Sequence, residues 1–361
     1  MVFSNAYYKK LKDLSKILNE KNIVFAPAGL ETFRLMRDLK FFQISPNFIY
    51  DDNPALKGKS YDGVPIVNDR FSGIFINTFF VIASTTFMQK MQKSFIEKGV
   101  PEKNIHCDYQ LLLYQYLEID KIESVELLLR KEQKKISYSY NLMKDNQSRK
   151  SFLRRIDYLR NPCIDTLITK NIKNKHDFFC YEENEVLLDG GAFNGEFMLD
   201  FIEKVDGKFG NYHAIEPNQE NFNLLKTQSI DKRINYYNIG LSSSRMYHEI
   251  DSGLLQTSIY TSNQNQSRMS ILFNSIDNLF SNEYITTIKL NVNGYEKQSL
   301  FGGVNLIKKH NPKLMISCYY HVMDFIEIPI LINKFFPNYE IFLRDCSDTI
   351  YDTVCFAKPR E

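Results

Sequence analysis

Between Val186 and Phe197 the chain reads VLLDGGAFNGEF, an apolar run that stops at Asp189 and passes through Gly190, Gly191, Ala192, Phe193 and Gly195 into a helical pattern. Open α/β sheets bring backbone close to ligands at such strand-to-helix turns. Dinucleotide folds place G-x-G-x-x-G there, with no acid in the first turn, because the pyrophosphate rests on the helix N-terminus. This turn has the spacing DxGxxxG instead. A carboxylate at the helix mouth opposes a pyrophosphate by about 4 kcal/mol at contact distance in a medium of intermediate polarity. It suits a phosphate-free ligand with a cationic end, and S-adenosylmethionine has both an ammonium and a sulfonium. Gly191 and Gly195 permit close backbone approach. The same small residues would also serve any strand–turn–helix unit that packs tightly.

A second acid follows at the next strand end. Glu216, before Pro217, closes the run YHAIEP, where a carboxylate can accept both hydroxyls of a ribose. The third strand ends at Asn238-Ile239-Gly240-Leu241, where an adenine would lie. Taken together, the two acids predict a methyl-donor site.

Methyl transfer to an alcohol is an in-line displacement, so alignment supplies about 7–11 kcal/mol and a positioned base about 10²–10⁴-fold. His321 follows the run LMISCYY at a strand's carboxyl end, and its ordinary pKa near 6.5 suits a general base. A surface or packing histidine is the alternative. Asp324 is expected to orient it. Lys289 and Glu296 flank the turn KLNVNGYE, either as an ion pair fixing that loop or in direct contact with substrate. Asn291 and Asn293 are expected to hydrogen-bond substrate hydroxyls, which suits a sugar. Tyr320, with Tyr319, Tyr295 and Phe193, adds aromatic surface.

These residues need a regular frame, and the sequence predicts one. Strand candidates are Val186–Asp189, Tyr212–Glu216, Ile234–Asn238, Thr287–Val292, Leu314–Tyr319, Tyr339–Leu343 and Thr353–Ala357, with helices between the early ones. The last two leave no room for a helix, so a parallel sheet ending in an antiparallel hairpin is expected. The ordered set VLLDGGAFNGEF, AIEPNQENFNLL, NIGLSSS, SIDNL, IKLNVNGYEKQSLFGG, PKLMISCYYHVMDFIEIP and YDTVCFA resembles the FkbM-type methyltransferases over Glu185 to about Lys358. DNQSRKSFLRRIDYL and HDFF also look like the connector of some larger bacterial members. The resemblance implies a class I methyltransferase fold and O-methylation, commonly of sugars or polyketide hydroxyls. One departure stands out: the family pattern is close to KxDxEGxE, whereas Asn291 and Asn293 replace both inner acids here. An amide takes no proton and is a poor ligand for a hard cation, so no metal is expected.

Ahead of that domain, residues 1–20 have helical spacing with Leu11, Leu14, Ile17 and Leu18 on one face. NIVFAPAGLETF, PNFIYDDNP and FFVIAS then alternate strand with helix, a second, smaller Rossmann-like α/β domain. Its first turn resembles those of Rossmann-like sensor or sugar-modifying domains, but GAGxxG has become Ala26-Pro27-Ala28-Gly29-Leu30-Glu31. Pro27 removes a backbone donor and Glu31 adds negative charge, which favours scaffolding or dimerisation over nucleotide binding. Asp51 and Asp52 at the second strand end could still meet a ribose. The resulting division is 1–110, a helical connector over 111–182, and 183–361.

The chain has 361 residues, 43% of them apolar, enough for two cores. With 45 basic against 43 acidic residues, nothing points to nucleic acid or an anionic membrane as partner. Six scattered cysteines without a CxxC pair predict reduced thiols rather than disulfides or zinc. The charged N-terminus lacks a signal-peptide core, and Gly73–Met88 is too short and polar to span a bilayer, so it is expected to contribute a buried strand. A cytoplasmic protein acting on a small-molecule or glycan substrate, with a possible homodimer through the first domain or connector, is the implied setting. A non-catalytic, methyltransferase-like binding protein is the alternative, and a first domain that modifies a nucleotide sugar is a third reading.

Overall fold

The computed structural model describes residues 5–68, 78–84, 87–108, 111–112, 125–160, 172, 174–229, 231–251, 268–347 and 352–360. It divides into two compact units, one holding the described residues up to Arg130 and the other Lys131–Leu159 with 174–250 and 268–360.

The first unit runs α1 (Asn5–Leu18), β1 (Asn22–Ala26), α2 (Leu30–Leu39), β2 (Phe48–Tyr50), β3 (Ser60–Tyr61), β4 (Val64–Val67), β5 (Thr78–Ile82), α3 (Met88–Glu97) and β6 (Ile105–Cys107). The sheet order is β3-β4-β2-β1-β5-β6, all parallel except β3. Its central strands are buried on both faces, which is why Ile23–Ala26 and Phe79–Ile82 read as continuous apolar runs. Helix α1 buries Leu11, Leu14 and Leu18, while Ile17 stays exposed. Residues 73–77 of the apolar stretch lie outside the described residues. The Asp51 carboxylate accepts the Ala28 amide at 3.0 Å and the Asn53 amide at 2.9 Å, tying the second strand tip to the first turn.

The second unit begins with α4 (Gln133–Leu142) and α5 (Asn146–Arg160). Then follow β7 (Val186–Gly190), α6 (Glu196–Lys204), β8 (Asn211–Ile215), α7 (Gln219–Leu225) and β9 (Ile234–Tyr237). After β10 (Gly240–Leu241), β11 (Met246–Asp251) and β12 (Arg268–Asn274) come α8 (Ile276–Leu279), β13 (Thr287–Leu290), α9 (Glu296–Phe301), α10 (Val304–His310), β14 (Lys313–Ser317), α11 (Asp324–Phe335), β15 (Tyr339–Asp345) and β16 (Thr353–Pro359). The main sheet has the order β15-β16-β14-β13-β7-β8-β9. Strand β16 inserts antiparallel between β14 and β15, so the final hairpin closes one side of an otherwise parallel sheet.

The sequence did not announce β10, β11 and β12. They form a separate small sheet, order β10-β12-β11, before β13. Strand β10 has two residues, too few for any alternation to register.

Helices α4 and α5, read from sequence as part of a connector, lie against the β15 edge. Met143 bridges Ile341, and the Ile341 carbonyl accepts the Lys144 amide at 2.9 Å. Ser148 Oγ accepts the Leu343 amide at 3.0 Å, and Arg344 forks onto Asp145 at 3.2 and 2.6 Å. An edge strand with open backbone groups invites pairing, and this cover removes them. Phe152 is fully buried, with its ring 5.2 Å from that of Phe325 and 5.9 Å from that of Tyr140. Phe152→Ala is therefore expected to destabilise the unit by about 3–5 kcal/mol, read as a lower urea midpoint at unchanged m-value.

Candidate functional site

The crevice forms where the chain leaves β7 and β13 for opposite directions across the sheet, at the carboxyl ends of the strands. In the parallel register Asp189 of β7 faces Lys289 of β13 and Ala214 of β8. Register partners share a sheet face, as does Tyr212, two residues before Ala214. The three side chains meet. Asp189 is completely buried, with Oδ1 2.7 Å from Lys289 Nζ and Oδ2 accepting the Tyr212 hydroxyl at 2.6 Å. Lys289 also donates to the Gly191 carbonyl at 2.7 Å. Burial and the Asp189 charge hold the Tyr212 hydroxyl well above its ordinary pKa, so it stays a donor.

Asp189, expected to meet the cationic end of a ligand, has its oxygens engaged inside the protein by Lys289 and Tyr212. One expectation is corrected. Lys289 and Glu296 do not pair, since Lys289 is drawn to Asp189 across the sheet. Tyr212 was not singled out in the sequence; its place two residues upstream of a register partner was the available signal.

Phosphate is disfavoured at the turn for a different reason. The Gly191 and Ala192 amides both donate to the Ile215 carbonyl at 2.9 Å, and the Phe193 amide donates to Glu216 Oε2 at 2.9 Å. Three consecutive N–H groups that a phosphate nest would use are thus already engaged. Gly191 has φ +78°, and a Cβ there would lie 1.9 Å from the Asn291 carbonyl oxygen, so only glycine fits. Gly195 (φ +92°) opens α6.

Glu216 stands at the tip of β8, almost wholly buried, with Oε1 accepting the Asn218 amide at 2.9 Å. Burial pushes its carboxyl above the ordinary range, against the pull of the two backbone amides. The Asn221 side chain also donates to this carboxylate. Pro217 is half-buried beside it, and Asn238 Nδ2 donates to the Glu216 and Pro217 carbonyls at 2.9 and 3.3 Å, so Asn238 shapes the loop. Three further residues expected at the ligand are tightly packed. A Cβ on Gly240 would lie 2.5 Å from the Phe273 ring, one on Gly190 would lie 2.8 Å from Leu241 and Leu290, and Ala192 is buried.

On the other side of the crevice, the loops after β13 and β14 meet. The Tyr319 hydroxyl donates to Asn291 Oδ1 at 3.0 Å, and the Tyr320 hydroxyl donates to Asn293 Oδ1. The two tyrosine rings stack, centroids 4.8 Å apart. His321 is exposed and its Nε2 lies 3.4 Å from the Gly294 carbonyl. A carbonyl only accepts, so Nε2 is the donor in this contact, and in a neutral ring Nδ1 would carry the lone pair. Asp324 does not orient the imidazole; its Oδ2 accepts the His321 backbone amide at 2.7 Å. Strand β14 is two strand spacings from β7, about 10 Å. Among the described residues no cluster of acids, histidines and cysteines could hold a metal ion. No helix among them is long and apolar enough to cross a membrane.

The crystal structure of methyltransferase FkbM from Methylobacillus flagellatus KT is similar to this chain, with a TM-score of 0.65 and 17% identity over 98% of this chain and 94% of that one. The fold is a methyltransferase fold. Fainter likenesses, too weak to carry an argument, are to the plantazolicin methyltransferase BpumL with SAH (TM-score 0.29, 8% identity, 66% of this chain and 99% of that one) and to SAH-bound Podospora anserina PaMTH1 (TM-score 0.29, 9% identity, 63% and 87%). No family model and no curated protein matches the sequence.

Lys289→Met leaves Asp189 buried without its counter-charge, so a loss of about 3–5 kcal/mol is expected. Adding Asp189→Asn should recover part of it in the same denaturation assay. Equal stability of the single and double variants would mean that the pair does not hold the strands.

Proposed function

We propose that the second unit binds S-adenosylmethionine and methylates a hydroxyl of a carbohydrate. The observation that carries the reading is Glu216, a buried strand-tip carboxylate clasped to the first turn, in a crevice whose turn amides are closed to phosphate. Those residues fit the nucleoside end of the cofactor: Glu216 would accept the ribose hydroxyls, with Pro217 and Asn238 shaping the wall and Gly191 and Gly195 allowing approach. A fold neighbour named as a methyltransferase adds support.

The cofactor supplies a methyl already activated on sulfur. The protein's own part is to align the acceptor and remove its proton. His321 Nδ1 is the assigned base, Asn291 and Asn293 present amide N–H groups to sugar oxygens, and the Tyr319–Tyr320 stack offers a flat apolar wall. Carboxamides in place of both inner acids are poorer ligands for a hard cation, which suits a metal-free displacement.

Isothermal calorimetry should show heat on adding S-adenosylmethionine, and silence together with no thermal shift at millimolar ligand overturns the reading. Glu216→Ala should weaken binding by more than about 1.4 kcal/mol, a tenfold loss. His321→Ala should lower kcat by about 10²–10⁴ while cofactor affinity stays unchanged. A non-catalytic, methyltransferase-like binding protein is the second reading, favoured by the two amides; methylated product from any sugar in a panel excludes it.

A further inference from the structure

Two buried acids stand behind the acceptor side of the crevice, one at the start of each helix that follows its loops. Glu296 opens α9 and is 1% exposed; its Oε1 accepts the Val292 amide at 2.8 Å, and its Oε2 has no hydrogen-bond partner. Asp324 opens α11, is equally buried, and takes the His321 amide on Oδ2. Each acid therefore organises its own loop. Glu296 sets the segment with Asn291, Asn293 and Gly294, and Asp324 sets the end of the segment with Tyr319, Tyr320 and His321. The two loops touch through Tyr319–Asn291, Tyr320–Asn293 and His321–Gly294.

The surrounding charges bear on the state of Glu296. Lys297 lies 3.1 Å from Asp324 and 2.7 Å from Glu327, and Glu327 also lies 3.9 Å from Lys135. That cation belongs to Asp324 and Glu327, and among the described residues Glu296 has no ion pair. A buried carboxylate without a counter-charge is costly, and such a group takes a proton instead. Burial, helped by the Asp324 charge and opposed by the Glu296, Val292 and Gly294 amides, pushes Glu296 up to about 8. Burial holds the Tyr319 hydroxyl far above its ordinary range, so it stays a donor to Asn291.

We propose that Glu296 works as a neutral carboxylic acid, a positioning residue of the acceptor site whose ionisation beside Asp324 frees the 291–295 loop from His321. The role rests on reading this crevice as the acceptor side of a methyltransferase, while its protonation does not. The sign follows from linkage. The folded protein holds this proton more tightly than the unfolded chain, whose carboxyl has the ordinary value of 4.5. Stability from this group is thus complete below that value and is lost as pH rises through about 8.

Infrared titration of the full chain with 13C-labelled glutamate tests the proposal without cofactor or acceptor. A protonated-glutamate carbonyl band should be present at pH 6, vanish with a midpoint near 8, and be missing in Glu296→Gln. In Asp324→Asn the midpoint should move to lower pH, which assigns the band even if the glutamine variant fails to fold. A band unchanged in Glu296→Gln, or a midpoint indifferent to Asp324→Asn, overturns the proposal. Where turnover is measured, the alkaline fall of kcat should disappear in Glu296→Gln, and a wild-type kcat level from pH 7 to 9 also overturns it. Failure of the infrared arm leaves the methyl-transfer reading standing, and silence in calorimetry leaves the protonated acid standing.

Discussion

The crevice depends on one buried contact. Lys289, Asp189 and Tyr212 come from three adjacent parallel strands, and their mutual satisfaction fixes the heights of β7, β8 and β13 relative to one another. A one-residue slip would move any of them to the opposite face. The Lys289 amine would then leave Asp189 as a naked charge in the core. The Gly191 carbonyl would lose its donor, and the turn that lines the crevice would lose its shape. The pair is better understood as a constraint on register than as a source of stability, because desolvation offsets much of its attraction.

A second constraint acts at the strand tips. In each unit a carboxylate at the end of the second strand accepts one amide from the first turn and one from two residues ahead of itself. Glu216 does so with Phe193 and Asn218, and Asp51 with Ala28 and Asn53. The device closes the turn without glycine-rich phosphate geometry. It explains why both first turns depart from the dinucleotide pattern while keeping parallel α/β architecture.

The proposed acceptor side is built from neutral polar groups rather than charges. Amide–phenol pairs join the loops after β13 and β14, and the acids behind them engage backbone amides. On the proposed reading, such groups would align a hydroxyl-bearing acceptor by hydrogen bonds, and its proton would pass to His321 at the exposed rim.

The sequence by itself determined the sheet, because strand runs at Val186, Tyr212, Ile234, Thr287, Leu314, Tyr339 and Thr353 are long, apolar and bounded by turn residues. It also placed Glu216 at a strand tip, since a residue's position along a strand is a local property. It did not reveal that Asp189 faces inward, nor that Lys289 answers it from about a hundred residues away. It also hid the cover that α4 and α5 give the β15 edge, and the small sheet built on a two-residue strand. Those outcomes depend on register and pairing between distant segments, and only the tertiary structure decides which face of a strand meets which partner.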